Sequence, residues 1–486
     1  MMENIIREDY KNFKELEKDI FKLVCQIGVE ITRGVLEKKD LELMESRDKK
    51  KYRSEGLRKT TVKTVYGEVD YRRRLYSTKD TDGKTAYVYL LDEAVGMERI
   101  GLLSANLAGI IAESATEQPY RKAAGDVCRS TGETISAGGV WNLLQAIGER
   151  IGDEEEYDVA RMKAGQGGGD KAVPVLFEEE DGVWLAAQGP QHEKRKSLEV
   201  KVSTIYEGWD KEKEAEGRSV LVGRRVLAGV MKAGDFHDRH EAGIEKIYNP
   251  VEIGQRVLNG DGGAWINDPY DPDTVKQLDR YHIQQEILRD ISDKAARSEI
   301  RERLEQKDVD GMIDYVLAYA DSVDNDDPRD KRAEKARQLY SYLDSNRDAL
   351  LPWQDLVDEL PEAPDGILYK NMGVQENQNC TLVTLRMKHR RMRWSEKGAD
   401  NMAKALYRKE NGELHQTVER YSGHLSFSSV VKEVGEILSA ASAPKKDGKG
   451  NPYAGLFQGH FMLADAAQTA ARKVLRNLYV DGLEAF

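Results

Sequence analysis

Residues 257–287 read VLNGDGGAWINDPYDPDTVKQLDRYHIQQEI. The apolar pair Val257-Leu258 runs into Asn259-Gly260-Asp261-Gly262-Gly263, so a glycine-flanked turn holds one carboxylate, Asp261, just past an expected strand. Further on, a second apolar step carries Asp279 and His282 in a D-x-x-H spacing. Carboxylates held at strand ends by glycine turns suit a divalent cation, because hard oxygen ligands converge there while the backbone stays clear. A surface Asp-Gly turn is the plain alternative. What separates the two is whether the rest of the chain supplies partners for Asp261.

Length and charge set the frame. A chain of 486 residues is too long for one compact core, and about three domains are expected. No run of eighteen apolar residues occurs, and the start, MMENIIREDYKNFKELEKDI, has no apolar signal core, so a cytoplasmic protein with no membrane span is expected. Cys25, Cys128 and Cys380 are scattered and form no CxxC pair, which points to neither a zinc site nor a disulfide framework. The net charge of −12 argues against nucleic-acid binding when taken globally. Its distribution argues otherwise. Residues 47–74 hold eleven Lys/Arg against four Asp/Glu, and the run Arg386, Lys388, Arg390, Arg391, Arg393 contains no acid. Such patches can hold phosphates, and a solvated charged face is the alternative for each.

Taken in order, residues 3–50 read as one or two helices, with Ile6, Phe13, Leu16, Ile20, Val24, Ile27 and Ile31 at mostly three- and four-residue steps, a packing or oligomerisation element. TTVKTVYGEVDYRRRLY, residues 60–76, alternates as a basic β-hairpin turning at Tyr66-Gly67-Glu68. Residues 102–151 read as three helices, with Ser104 and Ser136 as caps and Pro119 at the start of the second, in helix-turn-helix spacing. After the GQGGGD break at 165–170, Val173–Phe177 reads as a strand ending in Glu178-Glu179-Glu180-Asp181-Gly182. Val183–Ala187 reads as a second strand and Ser197–Tyr206 as a third; residues 224–248 hold a strand and a helix. Strand, strand, strand, helix, strand, with acids ending the first and fourth, is the order of an RNase H-like mixed sheet, in which Asp181 and Asp261 would lie side by side. From about 284 the texture turns helical, as an insertion rather than part of the sheet. The expected division is 1–100 (helix and basic hairpin), 101–164 (helix-turn-helix-like, DNA-binding), 165–283 (catalytic core, first part), 284–365 (helical insertion), 366–410 (catalytic core, last part) and 411–486 (helical tail with a Lys445–Pro452 loop).

The ordered set EEEDGVWLAAQ…YEGW, VLNGDGGAWI, LDRYH and G-x-x-E…RMKHRRMRWSEKGADNMAKAL resembles the bacterial insertion-sequence transposases of the ISLre type, relatives of the Mutator-like DDE transposases. The resemblance runs from about residue 50 to about residue 410 and rests on the four motifs together. It implies an RNase H-like core, a helical insertion before the last acid, and a DNA-binding N-terminal part. Carried over, Asp181 matches the first catalytic Asp, with Glu179 as rival because alternation puts it on the same side. Asp261 matches the second, and Glu376 in GVQEN the third, with Glu396 in WSEKGA as rival. Asp279 and His282 match a feature of the Mutator-like group, His282 contacting a scissile phosphate or orienting Asp279.

The resemblance thus implies an enzyme that binds the inverted ends of its element as double-stranded DNA, cuts them and joins them to target DNA. It would work as a homo-oligomer at the nucleoid. Two Mg²⁺ (or Mn²⁺) ions held by Asp181, Asp261 and Glu376 suit that chemistry, since hard cations take carboxylates rather than thiols. Arg72, Arg73, Arg74, Arg386, Lys388, Arg390, Arg391 and Arg393 are the expected DNA contacts. A nuclease without strand transfer, a non-catalytic DNA-binding derivative and a helical scaffold with a small sheet are the other readings.

Overall fold

A computed structural model describes residues 11–420 other than 81–82, 96–102, 190–196, 268, 270, 326, 328 and 358. The expected helical tail from residue 421, with its Lys445–Pro452 loop, lies outside the described residues. The chain is mixed α/β and divides into two compact units. One holds residues 1–147 and 414–486, the other residues 148–413.

In the first unit, α1 (Phe13–Ser46) is a single 34-residue helix rather than two, capped by the Asn12 side chain. It packs on a three-stranded antiparallel sheet of β1 (Arg53–Thr64), β2 (Gly67–Lys79) and β3 (Thr85–Val88). The basic hairpin is therefore longer than expected and turns at Val65-Tyr66. Gly67 opens β2 opposite Thr64, at a φ of 128° that a side chain would resist. After α2 (Leu90–Val95) come α3 (Ala105–Glu117), α4 (Tyr120–Ser130) and α5 (Ala137–Lys163), whose residues from 148 on belong to the second unit. Ser104 Oγ accepts from Leu107 N and Ser136 Oγ from Gly139 N, so both expected caps form. Pro119 immediately precedes α4, where its missing N–H costs nothing.

The second unit is built on a five-stranded mixed sheet: β4 (Lys171–Ala186), β5 (Ser197–Tyr206), β8 (Arg225–Gly229), β9 (Tyr248–Gly260) and β10 (Val275–Leu278). The strand order is β10-β9-β4-β5-β8. β5 is antiparallel to both β4 and β8, whereas β9 runs parallel to β4 and β10 parallel to β9. Between β5 and β8 lie the short strands β6 (Gly208–Asp210) and β7 (Leu221–Val222) with α6 (Lys211–Ala215), and α7 (Ala233–Glu245) connects β8 to β9.

One expectation fails here. Residues 171–186 are one continuous 16-residue strand, not two strands meeting at Asp181-Gly182. The four acids do not form a turn because the sheet gives each side chain a partner or a destination. Along one face of β4 the residues run Val175, Phe177, Glu179, Asp181, and along the other Leu176, Glu178, Glu180. Val175 and Phe177 join Tyr206, Trp209, Val257 and Trp353 in an aromatic-rich core, with Phe177 stacked on Tyr206 at 5.3 Å. Each such fully buried side chain contributes about 1.5–3 kcal/mol.

Beyond β10 the chain is helical: α8 (Arg280–Asp290), α9 (Lys294–Glu305), α10 (Val309–Ser322) and α11 (Arg332–Ser345). They share a core that includes Ile283, Ile287, Ile300, Met312, Val316 and Leu339. A short strand, β11 (Ile367–Leu368), returns to pair with β6. Then α12 (Gln375–Asn379) continues as a π-helix over Cys380–Lys388. α13 (Glu396–Glu410) packs on β8 and β5, and α14 (Leu414–Glu419), in the first unit, follows.

Candidate functional site

The parallel register of β4, β9 and β10 lays two polar rungs across the sheet. In the first, Glu179 pairs with Asn259 and Asn259 with Gln277. Asn259 Nδ2 donates to Glu179 Oε2 at 3.0 Å, Gln277 Nε2 to Asn259 Oδ1 at 2.9 Å, and Trp353 N to Gln277 Oε1 at 2.8 Å. Every member is buried and hydrogen-bonded, which is the condition for polar groups to persist inside a sheet.

One residue past the last register pairs, Glu180 with Gly260 and Gly260 with Leu278, come Asp181, Asp261 and Asp279. Three carboxylates thus stand at the same level on adjacent strands. The two strand-end acids, Asp261 and Asp279, sit at carboxyl ends of parallel strands, where α/β sheets present their ligands. Asp261 Oδ1 accepts from Gly263 N at 2.7 Å, and its backbone carbonyl accepts from the Tyr342 hydroxyl of α11 at 3.0 Å. Gly262 has a φ of 82°, and a Cβ there would meet the Asn346 amide at 2.9 Å, so both backbone and space require glycine. Asp279 caps α8, accepting from Tyr281 N at 2.8 Å.

His282, in the first turn of α8, stands with Nε2 3.8 Å from Asp181 Oδ2 and Nδ1 3.8 Å from Asp279 Oδ2. Its Nδ1 is buried and has no hydrogen-bond partner. Asp181 Oδ1 accepts from Gly182 N at 2.7 Å and Oδ2 from Asn379 Nδ2 at 2.6 Å. Asn379 lies one turn after Glu376 on α12.

The electrostatics tie this group together. Burial pushes the Asp181 carboxyl up, His282 and the Gly182 N–H pull it down, and the negative charges of Asp261 and Glu376 push it up again, to about 6. Glu376 itself is solvent-exposed. The structure therefore brings Asp181, Asp261, Asp279, His282 and Glu376 into one neighbourhood. Glu396 instead heads α13 behind its Ser395 cap.

Glu179, the expected rival of Asp181, is fully buried and taken up by five donors, Tyr206 Oη, Asn259 Nδ2 and the backbone N–H groups of Gly373, Val374 and Gln375. On the opposite face Glu178 accepts two hydrogen bonds from Arg256 at 2.6 and 2.7 Å and meets His240 Nε2 at 2.7 Å, while Arg256 also binds Glu241. Among the described residues, Glu178, His240 and Glu241 are the group whose ligand atoms come within 4.8 Å of one another. A guanidinium already neutralises that cluster, so it is a buried ion network rather than an open cation site. Burial raises Glu178, but Arg256 and His240 outweigh it and hold it at about 2. The ligand atoms of Asp181, Asp261 and Glu376 do not form such a group within 4.8 Å.

The expected basic contacts divide. Arg73 is buried, paired with Asp92 and 3.8 Å from the Tyr89 ring centre, and Arg74 binds Asp40. Arg386 is buried over the Trp394 ring. These three serve the interior, because an arginine on the inner face of a sheet or helix must find a partner there. Arg72 is exposed, directly across from Lys59; Lys388, at the end of the π-helix, and Arg391 and Arg393, after it, are also exposed. The Arg390 side chain lies outside the described ones. Trp394 is core: it is buried, its indole donates to Met387 O at 2.8 Å, and its backbone bridges β4 at Ala187. Sequence reasoning missed Asn379 and Tyr342; an i, i+3 partner of Glu376 was the only signal for the first, and nothing local marked the second.

Fold and site together define a mixed α/β protein with a cluster of carboxylates and one histidine on and just past adjacent strands of its central sheet. The chain belongs to UPF0236, an uncharacterised protein family, whose family model matches residues 6–422. A UPF0236 protein of Caldanaerobacter subterraneus subsp. tengcongensis, under a name that joins eleven locus designations, is 25% identical over 83% of this chain and 79% of its own length. A UPF0236 protein encoded in the vanSb 3′ region of Streptococcus gallolyticus is 24% identical over 87% of this chain and 88% of its own. Among the described residues no helix is long and apolar enough to cross a membrane.

Proposed function

We propose that the five-stranded sheet is an RNase H-like core with a helical insertion over 280–345, and that the protein is a DDE-type transposase that cuts the ends of its element and joins them to target DNA. The observation that carries this reading is the placement of Asp181 and Asp261 at one level on adjacent parallel strands, with Glu376 on a helix hydrogen-bonded to Asp181 through Asn379. The strand order, three antiparallel strands followed by two parallel ones, supports it. So does the relative whose name joins eleven loci of one genome, since many copies in one genome are what a mobile element leaves behind.

The donor set fits a hard divalent cation. The candidate ligands are all carboxylate oxygens, and Asp181 is raised first by burial, with the charges of Asp261 and Glu376 adding to it. Asp181, Asp261 and Glu376 would hold Mg²⁺ or Mn²⁺. Bound there, the ions would supply activation of a water or 3′-hydroxyl and stabilisation of the leaving oxygen. The remaining work falls to the chain. Asn379 fixes the Asp181 oxygen, and His282, whose Nδ1 is buried on the Asp279 side, would donate to a phosphate oxygen from Nε2. Lys388, Arg391 and Arg393, and the facing cations Lys59 and Arg72, would contact the DNA backbone. Bringing two element ends together calls for more than one copy of the chain.

Incubation of the purified protein with a supercoiled plasmid carrying element ends and Mg²⁺ tests this. Nicked and joined products are expected, with Asp181→Asn, Asp261→Asn and Glu376→Gln each lowering the rate by about a thousandfold, as loss of several kcal/mol of charge stabilisation implies. Glu396→Gln should cut normally. Nicking without joining would indicate a nuclease, and end binding without cleavage a non-catalytic derivative.

A further inference from the structure

We propose that Glu179 is a positioning residue that sets Glu376 in place by tying the start of α12 to the sheet, an inference that rests on reading Glu376 as the third acid. Glu179 lies two residues before Asp181 on the same face of β4, about 6.6 Å farther down the strand. Three successive backbone N–H groups aim at it. Gly373 N donates to Oε1 at 3.1 Å, Val374 N to both oxygens at 3.2 and 3.0 Å, and Gln375 N to Oε2 at 3.3 Å. Gly373 adopts a φ of 133°, which lets consecutive N–H groups converge and which L side chains resist. Glu376 follows directly after Gln375.

The chemistry requires a carboxylate. Oε1 faces only donors, Tyr206 Oη at 2.6 Å with the Gly373 and Val374 amides, and Oε2 likewise faces Asn259 Nδ2 with the Val374 and Gln375 amides. A glutamine would set its NH₂ against N–H donors in either flip. With its lone pairs so occupied, Glu179 is not a ligand, and it acts on the site through the helix it anchors. Gln375 adds a second tie, donating from Nε2 to Val202 O at 3.1 Å.

The test combines hydrogen exchange and Mn²⁺ binding on the full-length chain. In Glu179→Gln, the amides of residues 373–375 are expected to exchange about tenfold faster or more, with β4 and β5 amides unchanged. Mn²⁺, titrated by the loss of its free electron-spin signal, should bind about 10–100-fold more weakly. The double variant with Glu376→Gln should bind no more weakly than Glu376→Gln alone, as residues acting through one another are non-additive. Unchanged exchange at 373–375, or losses that multiply in the double variant, overturns the proposal. Should Glu179→Gln exchange throughout, Glu179→Asp decides, since it keeps the charge but draws it back from the amides: faster exchange confined to 373–375 supports the tie, and none overturns it. Wild-type protein that takes up no Mn²⁺ would overturn the metal reading of the site, while the exchange result would still decide whether Glu179 holds the helix.

Discussion

Asn379 Nδ2 donates to Asp181 Oδ2 at 2.6 Å, joining the acid on β4 to the helix that carries Glu376 one turn earlier. Replacing Asn379 with alanine frees that oxygen while leaving the backbone of α12 intact. DNA cleavage should fall by about 10–100-fold, the usual cost of losing an outer partner of a metal ligand. Thermal melting, followed by circular dichroism, should show a folded protein. Asn379→Asp would set a further negative charge against Asp181 and move the acid limb of the rate–pH profile upward. In the wild type the affinity for the cation should fall as pH falls through the raised pKa of Asp181 in the cation-free protein, about 6, because binding needs the ionised carboxylate.

The buried acids on the other face of β4 give stability its own pH dependence. Burial first, then the nearby Glu178 and Glu241 charges, push Glu180 up to about 7, against the pull of His240 and Arg256. The fold then holds this proton more tightly than the unfolded chain does. Glu180 therefore favours folding below the ordinary carboxylate range, and that contribution is withdrawn as pH rises toward 7. Glu178, held at about 2, has the opposite sign: its contribution is present above 4.5 and lost as pH falls toward 2. The cation-free protein should therefore melt at a higher temperature at pH 5 than at pH 7.5 and lose stability again below about pH 4. Glu180→Gln should flatten the rise between pH 7.5 and 5, as read by fluorimetric melting across buffers.

Arg256 is the sole cation bridging the buried Glu178 and Glu241 by hydrogen bonds among the described contacts. Arg256→Met should destabilise the protein by about 3–5 kcal/mol, since two carboxylates are left buried without it. Urea denaturation would show the shift in midpoint. Removing all three charges together should restore much of the loss, because the cost lies in the stranded acids.

Alanine at Lys388, Arg391 or Arg393 should weaken DNA binding to a similar degree on any sequence. Each should also reduce the dependence of log affinity on log salt by about 0.9 per lost phosphate contact. Fluorescence anisotropy at several salt concentrations measures both. Arg386→Ala should instead act on folding, as its side chain is buried over Trp394.

How far the sequence carried differs from element to element. Asp261 was legible because glycine turns and an apolar run are local signals, and the helix caps at Ser104 and Ser136 were legible for the same reason. Four acids before a glycine look like a turn, so the local pattern divides the 171–186 strand in two. Their pairing with Arg256, His240, Tyr206 and Asn259 is made by residues 27–80 positions away, which no local pattern contains. The same distance hid the division of labour within the acid run. Alternation correctly put Glu179 beside Asp181, yet only the fold shows that Glu179 faces a wall of donors. Burial of Arg73 and Arg386 was likewise invisible, since charge counting weighs every arginine alike.

The bond from the Tyr342 hydroxyl to the carbonyl of Asp261 has a practical consequence for anyone reshaping this protein. It makes the helical insertion part of the acid's support, so the insertion is not a detachable cassette. Splicing it out between α8 and Ile367 would spare Asp181, Asp261, Asp279, His282 and Glu376 and still unseat Asp261. Length changes and tags belong instead at 323–331, where the chain links only α10 to α11.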